Sequence, residues 1–279
     1  MNKTRYFRIS YEDYVFFASL NKDHEFEMGN LNSKDGSCVQ IDVHHSKRKA
    51  DLGGVMFNRN CPANKELARK EGTVSLVRCA LKVILLLYPS ITHYTLTDKS
   101  WFECRNRNVH LCNHNFLLYG KTWYQRHFEA TNRSGLTERT MKRFDRVLSK
   151  KPTERFSVFW GRFDKLIRNS SCYKDIRDRL GTIRQMYETC DDWHDFFRNV
   201  HEQVGCFFFV PMLKHLFSYF SYGTFYGEKW FISAMAVDGW TLDGLKIKEI
   251  KQLPAQIGGR RPEVKKEKSK RRKQLIVFE

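Results

Sequence analysis

Four residues that can bind metal ions lie within eleven positions of one another in the middle of the chain. They are Cys104, His110, Cys112 and His114. Thiolate and imidazole groups are the usual ligands of zinc, and on an extended strand the last three side chains would point to one face. The spacing matches no common zinc-binding pattern, so a surface hairpin with ordinary polar residues is the simpler interpretation. We therefore predict no metal site.

Two further histidines, His194 and His201, lie two helical turns apart beside several acidic residues. Nothing in the sequence shows that these groups converge on one point, and we interpret them as a solvated helix face. The motifs GxSxG, HExxH, GxGxxG and the Walker loop are all absent from the sequence. Their absence excludes the easily recognised hydrolases, metalloproteases, P-loop NTPases and Rossmann enzymes.

A short basic segment with a glycine precedes the most apolar run of the chain. It reads RKEGTV over residues 69–74. A loop at the start of a helix presents free N–H groups that can bind a pyrophosphate, and neighbouring cations strengthen such a site. The candidate cofactor-binding residues are Arg69, Lys70, Gly72 and Thr73.

The order of sheet, loop, apolar helix, strand and a helix containing Tyr124 resembles the Gcn5-related N-acetyltransferase (GNAT) fold over about residues 35–130. That family reads R/Q-x-x-G-x-G/A at the loop; Arg69 and Gly72 match, whereas Val74 replaces a glycine or alanine. The resemblance implies acetyl-CoA bound by the loop and Tyr124 as the general acid that reprotonates the leaving thiolate. The WYQRHF segment around Tyr124 is close to the family's aromatic–Tyr pair but lacks its glycine. If the resemblance does not hold, we expect no cofactor.

A second resemblance covers Leu96–Ala130, above all the segments LTDKSWFEC and FLLYGKTWYQRHFEA. These segments are similar to uncharacterised proteins of nucleocytoplasmic large DNA viruses. The resemblance implies a viral origin and assigns no chemistry.

Positive charge is the strongest compositional signal. The chain has 49 Lys and Arg against 31 Asp and Glu, a formal charge of +18. The nine basic residues of the C-terminal segment are Arg260, Arg261, Lys265, Lys266, Lys268, Lys270, Arg271, Arg272 and Lys273. Such a cluster binds phosphates by releasing counterions, without reading sequence. It would also suit a nuclear localisation signal, an acidic capsid partner or a disordered solubilising end.

Composition predicts a folded protein in a reducing compartment. Aromatic residues make up 14% of the chain and Pro is rare, so a hydrophobic core is expected. The first eight residues lack the apolar core of a signal peptide, and no apolar stretch is long enough for a membrane span. The eight scattered cysteines are expected to remain thiols. We expect the host cytoplasm (viral factory) or the virion, with the nucleus as an alternative suggested by the basic tail.

The patterning predicts an α+β fold whose N-terminal sheet is mostly antiparallel and packs on a buried helix. The expected strands are 14–20, 25–29, 38–43, 52–57 and 92–96, and the expected buried helix is 73–89. Residues 115–128 are predicted to form one helix. Aromatic residues from Phe156 to Phe163 recur at helical spacing and indicate a core-facing helix.

We predict three segments: an α+β domain at 1–130, a helical segment with a returning strand near 229–237 at 131–255, and a basic tail at 256–279. Three functions are compatible with this organisation. The favoured one is a non-catalytic viral protein that binds nucleic acid or acidic virion components. The alternatives are an acetyl-CoA-dependent N-acetyltransferase and a minor capsid or other structural virion protein.

Overall fold

The computed structural model describes residues 4–11, 14–29, 38–55 and 72–253. Their contacts divide the chain into two units, which are Met1–Thr97 with Phe231–Glu279, and Asp98–Trp230. We call the first the sheet unit and the second the helical unit.

The sheet unit is built on a sheet of eight strands in the order β10-β1-β2-β3-β4-β5-β6-β9. The strands are β1 (Arg5–Tyr11), β2 (Tyr14–Leu20), β3 (Glu25–Gly29), β4 (Val39–His44), β5 (Lys49–Val55), β6 (His93–Thr97), β9 (Lys229–Ser233) and β10 (Lys246–Ile250). Neighbours from β10 to β5 pair antiparallel, and β5 pairs parallel with β6. The prediction of an α+β fold with a mostly antiparallel N-terminal sheet is confirmed.

Alternation along the strands gives this sheet two different faces. The inward face is apolar, with Phe7, Ile9, Phe26 and Ile41 all buried. It packs on α1 (Gly72–Leu87), which crosses from β5 to β6 as the parallel pairing requires. The hydroxyl of Tyr94 on β6 donates a hydrogen bond of 2.7 Å to the Leu81 carbonyl oxygen in α1. A short helix, α10 (Ala234–Gly239), packs against α1 in turn.

The helical unit begins with a hairpin, β7 (Trp101–Cys104) and β8 (Arg107–His110). Its helices are α2 (Leu111–Tyr119), α3 (Trp123–Phe128), α4 (Gly135–Leu148), α5 (Phe156–Ile167), α6 (Tyr173–Asp178), α7 (Leu180–Thr189), α8 (Trp193–Gln203) and α9 (Phe209–Tyr219). Asp192 caps α8, because its carboxylate accepts the Asp195 N–H at 2.7 Å. The predicted single helix over 115–128 is instead two helices, since Gly120 adopts a left-handed conformation (φ 66°) and Thr122 caps α3.

Aromatic side chains form the core of the helical unit. Phe159 on α5 is fully buried and contacts Tyr187, Trp193 and Tyr219 at ring-centroid distances of 5.0 to 5.6 Å. The helical spacing of the α5 aromatics therefore reports burial, as the sequence predicted. Aromatic pairs in stacked, tilted or edge-to-face arrangements add to the energy of burial, about 0.5–1.5 kcal/mol each.

The returning strand is present but shorter than predicted, because the segment near 229–237 divides into β9 and α10. β9 lies next to β6 in the sheet, and the Ala234 N–H donates to the Thr92 carbonyl oxygen at 3.0 Å. None of the described helices is long and apolar enough to cross a membrane.

Candidate functional site

The predicted cofactor loop falls mainly outside the described part of the chain. Arg69 and Lys70 lie outside it, as do all nine basic residues of the C-terminal segment. Gly72 is the first residue of α1, and Thr73 follows it in the first turn, half-buried. The cofactor site at this loop therefore remains a prediction.

Tyr124 lies on α3 in the interior of the helical unit. Burial raises the pKa of its phenol well above the ordinary value of 10.0, and the nearby Asp98 carboxyl and Cys112 thiol raise it further. Asp98 is fully buried, and its Oδ1 accepts hydrogen bonds from both the N–H and the hydroxyl of Ser100. Its Oδ2 has no hydrogen-bond partner. Burial raises the pKa of Asp98 to about 6, against the opposing effect of the two Ser100 bonds.

The predicted thiol state is wrong for three cysteines. Cys104 in β7 forms a disulfide with Cys206, 102 residues further along the chain, and Cys38 is also disulfide-bonded. Cys112 remains a buried thiol. Patterning gave no sign of this pairing, because the cysteines are scattered and follow no recognisable framework.

The four residues of the possible metal cluster do not share a strand. His110 ends β8 and stacks on Tyr226, whereas Cys112 and His114 lie on α2. His114 Nε2 lies 3.3 Å from His201 Nδ1, and burial followed by the His201 charge holds the pKa of His114 well below 6.5. No group of three or more potential metal ligands comes together among the described residues.

His194 is buried, which corrects its interpretation as part of a solvated helix face. Its Nδ1 lies 2.6 Å from the Leu117 carbonyl oxygen and its Nε2 lies 3.1 Å from Asp145 Oδ1. The histidine thereby links α2, α4 and α8. Gly120 makes room for this arrangement, since a Cβ at that position would collide with the Asp145 carboxylate.

The outer face of α4 carries a basic surface. Arg139, Arg143 and Arg146 are exposed at helical positions i, i+4 and i+7, while Met141 and Phe144 are buried on the opposite side. We call the three arginines the α4 arginine stripe. At 1.5 Å per residue the stripe is about 10 Å long.

The arginines of this stripe have no acidic partner among the described residues. The two carboxylates of the helix are engaged elsewhere, Glu138 by Lys142 at 2.8 Å and Asp145 by His194 at 3.1 Å. Between positions 133 and 155 there are eight basic residues and three acidic ones. The stripe is therefore a set of cations whose hydrogen-bonding capacity is available to a ligand.

A cleft of about 490 Å³ opens just beyond the C-terminal end of α4. Lys151 and Arg155 line it and are exposed, without an ion-pair partner in the described structure. The Glu154 carboxylate in its wall is occupied by Arg162 and by the Tyr219 hydroxyl. The basic surface of α4 therefore continues into a concave region that retains positive charge.

No family model, no curated protein and no solved structure matches this chain. The site is thus argued from its own residues. The sequence already contained the signal for the α4 arginine stripe, since three arginines at i, i+4 and i+7 mark one face of a helix.

Proposed function

We propose that this protein binds nucleic acid through the α4 arginine stripe, without catalysing a reaction on it. The observation that carries the proposal is that Arg139, Arg143 and Arg146 are exposed on one helix face without carboxylate partners. Guanidinium groups bind phosphate through paired hydrogen bonds, and a row of them follows a phosphate backbone. The expected place of action is with viral nucleic acid in the host cytoplasm or the virion.

Rigid support makes the stripe suitable for this role. Phe144, on the buried side of α4, stacks on Tyr222 at a centroid distance of 4.3 Å, and Ser134 caps the start of the helix. The arginines are therefore presented from a fixed backbone, which reduces the entropy lost on binding. No base-reading group accompanies them, so we expect affinity without strong sequence preference.

The test compares two triple variants that remove the same charge. Arg139→Gln, Arg143→Gln and Arg146→Gln together remove the stripe, whereas Lys99→Gln, Lys165→Gln and Lys214→Gln remove three exposed cations elsewhere in the helical unit. With a 25-base-pair duplex at about 0.1 M salt, we expect the arginine variant to bind about 10-fold or more weakly. If both variants lose the same affinity for the duplex, the stripe contributes no more than any other surface charge, and the proposal is overturned.

The C-terminal segment is proposed to add affinity of the same sequence-independent kind. Replacing its nine lysines and arginines by serine in the full chain should weaken duplex binding and lower its salt dependence. An unchanged salt dependence would show that the segment makes no phosphate contacts. The stripe would then be tested by the arginine variant alone.

Acetyl transfer is a second candidate, favoured by one feature of the sheet. The β5–α1–β6 unit has parallel strands joined by a helix that begins at Gly72, within the basic glycine-containing segment. A thermal melt with about 1 mM acetyl-CoA tests it, because a ligand at about 100 times its Kd stabilises a protein by about 2.7 kcal/mol. An upward shift that Gly72→Glu abolishes would support the transferase, and no shift would reject it.

A further inference from the structure

The outward face of the sheet carries a second surface with its own chemistry. Side chains alternate along β1, and the buried Phe7 and Ile9 point into the core. Tyr6 and Arg8 therefore point to the outward face. Strand register places Phe17 of β2 directly opposite Arg8. Both aromatic side chains are half-buried and Arg8 is exposed.

The neighbouring edge strand adds two cations to the same face. Lys248 of β10 pairs with Arg8, and Lys246 pairs with Ser10. Both lysines are exposed, and no described carboxylate pairs with them or with Arg8. Three cations and two aromatic rings thus lie on three adjacent strands, about 5 Å apart from strand to strand. We call these five residues the β1 face.

The described acidic groups of the neighbouring strands do not pair with the cations of the β1 face. Glu249 projects to the opposite side, where Arg5 holds it at 2.9 Å. The nearest outward carboxylate belongs to Glu27 on β3, opposite Ser19, and its Oε1 accepts a hydrogen bond from Gln40 at 3.2 Å. Further along the sheet Asp51 is neutralised by Lys49 and His44. The β10–β1–β2 part of the outward face therefore carries three cations that no described carboxylate pairs with.

From this arrangement we propose that the β1 face binds single-stranded nucleic acid, with unpaired bases stacked on Tyr6 and Phe17 and phosphates held by the three cations. The β1 face combines partly exposed rings with basic groups, which are the two requirements for binding a single strand without sequence preference. Bases of a duplex are already stacked on one another and cannot use the rings. The inference rests on the proposed function for the class of ligand, and it uses a surface separate from the α4 arginine stripe.

The test measures binding of a fluorescent 20-mer of thymidine and of the same strand paired with its complement. Tyr6→Leu with Phe17→Leu keeps apolar side chains but removes both rings. Tyr119→Leu with Tyr226→Leu, which removes two exposed aromatic rings elsewhere, is the matched control. We expect the first pair to bind the single strand about 10- to 100-fold more weakly, with duplex affinity unchanged within about twofold. The control pair should bind both probes as the wild type does.

A second variant keeps the inference falsifiable if the aromatic substitutions disturb the sheet. The triple variant Arg8→Gln, Lys246→Gln, Lys248→Gln changes exposed side chains only. It should lower the slope of log K against log salt concentration for single-strand binding by about 2. Single-strand binding unaffected by either variant would overturn the inference while leaving the α4 proposal standing. A wild-type protein that binds neither probe would overturn both.

Discussion

In the sheet unit the fully buried Tyr94 hydroxyl has its hydrogen bond to Leu81, whereas in the helical unit the fully buried Asp98 leaves one carboxylate oxygen without a partner. The two units also differ in their buried ionisable groups. The helical unit also buries His114 beside His201, and burial lowers the pKa of both imidazoles, so protonation and stability are coupled there. In the sheet unit the ion pairs Arg5–Glu249 and Lys82–Asp238 each have an exposed partner, and the interior is mainly apolar.

This comparison indicates that different changes lower the folding stability of the two units. A buried group that prefers its neutral form costs folding free energy at pH values where it would ionise elsewhere. We therefore expect the helical unit to respond to pH and to the loss of its disulfide, and the sheet unit to respond mainly to changes in packing.

The largest expected effect comes from the Cys104–Cys206 disulfide. Replacing both residues by serine frees a loop of about 100 residues, which costs about 4–5 kcal/mol in the chain-entropy description. Hydrogen exchange followed by mass spectrometry should show lost protection in peptides from 98–230 and little change in peptides from 4–55. The buried thiol Cys172, replaced by alanine, is the control. Equal loss of protection in both units would contradict the expectation that the disulfide stabilises the helical unit alone.

A smaller effect is expected from Asp98→Asn, and its sign depends on pH. The folded-state pKa of about 6 exceeds the ordinary 3.8, so the folded protein loses stability as pH rises from about 4 to 6. Asparagine can still accept from Ser100 and cannot ionise. The stability of the variant relative to wild type should therefore increase by up to about 3 kcal/mol between pH 4 and pH 8. Urea unfolding at the two pH values measures this, and a constant difference would contradict it.

The smallest effect is expected from Tyr94→Phe in the sheet unit. The substitution removes one satisfied buried hydrogen bond and leaves the Leu81 carbonyl oxygen without that donor. We expect a loss of about 1 kcal/mol that is the same at pH 4 and pH 8. Together with Asp98→Asn it tests whether the two units differ in how they accommodate buried polar groups. A pH-dependent loss would place a titrating group in the sheet interior.

Much of the sheet could be predicted because its signals are local. Sequence patterning predicted β3 and β4, which pair antiparallel, and the apolar run over residues 73–89 predicted α1. Only the second half of α2 was predicted, because Leu111–Leu118 is buried on all sides and so has no polar face that would mark where the helix begins. Its polar residues Asn113 and His114 are accommodated by tertiary partners that no local pattern can reveal.

The candidate surfaces were only partly predictable for a related reason. The α4 arginine stripe follows from helical spacing alone, once the helix is assigned. The β1 face requires strand register, since Arg8 meets Lys248 across 240 positions of sequence. Ion pairing is also invisible in the sequence, and it is the lack of carboxylate partners that distinguishes these cations from ordinary surface charge.

The central claim is tested most directly by the salt dependence of duplex DNA binding, measured for the wild type and the two triple variants of the helical unit. Each phosphate contact contributes about 0.9 to the slope of log K against log salt concentration. The account predicts that Arg139→Gln, Arg143→Gln and Arg146→Gln together lower the slope by about 2 to 3, while the control at Lys99, Lys165 and Lys214 lowers it by less than about 1. Identical slopes for all three proteins would contradict it.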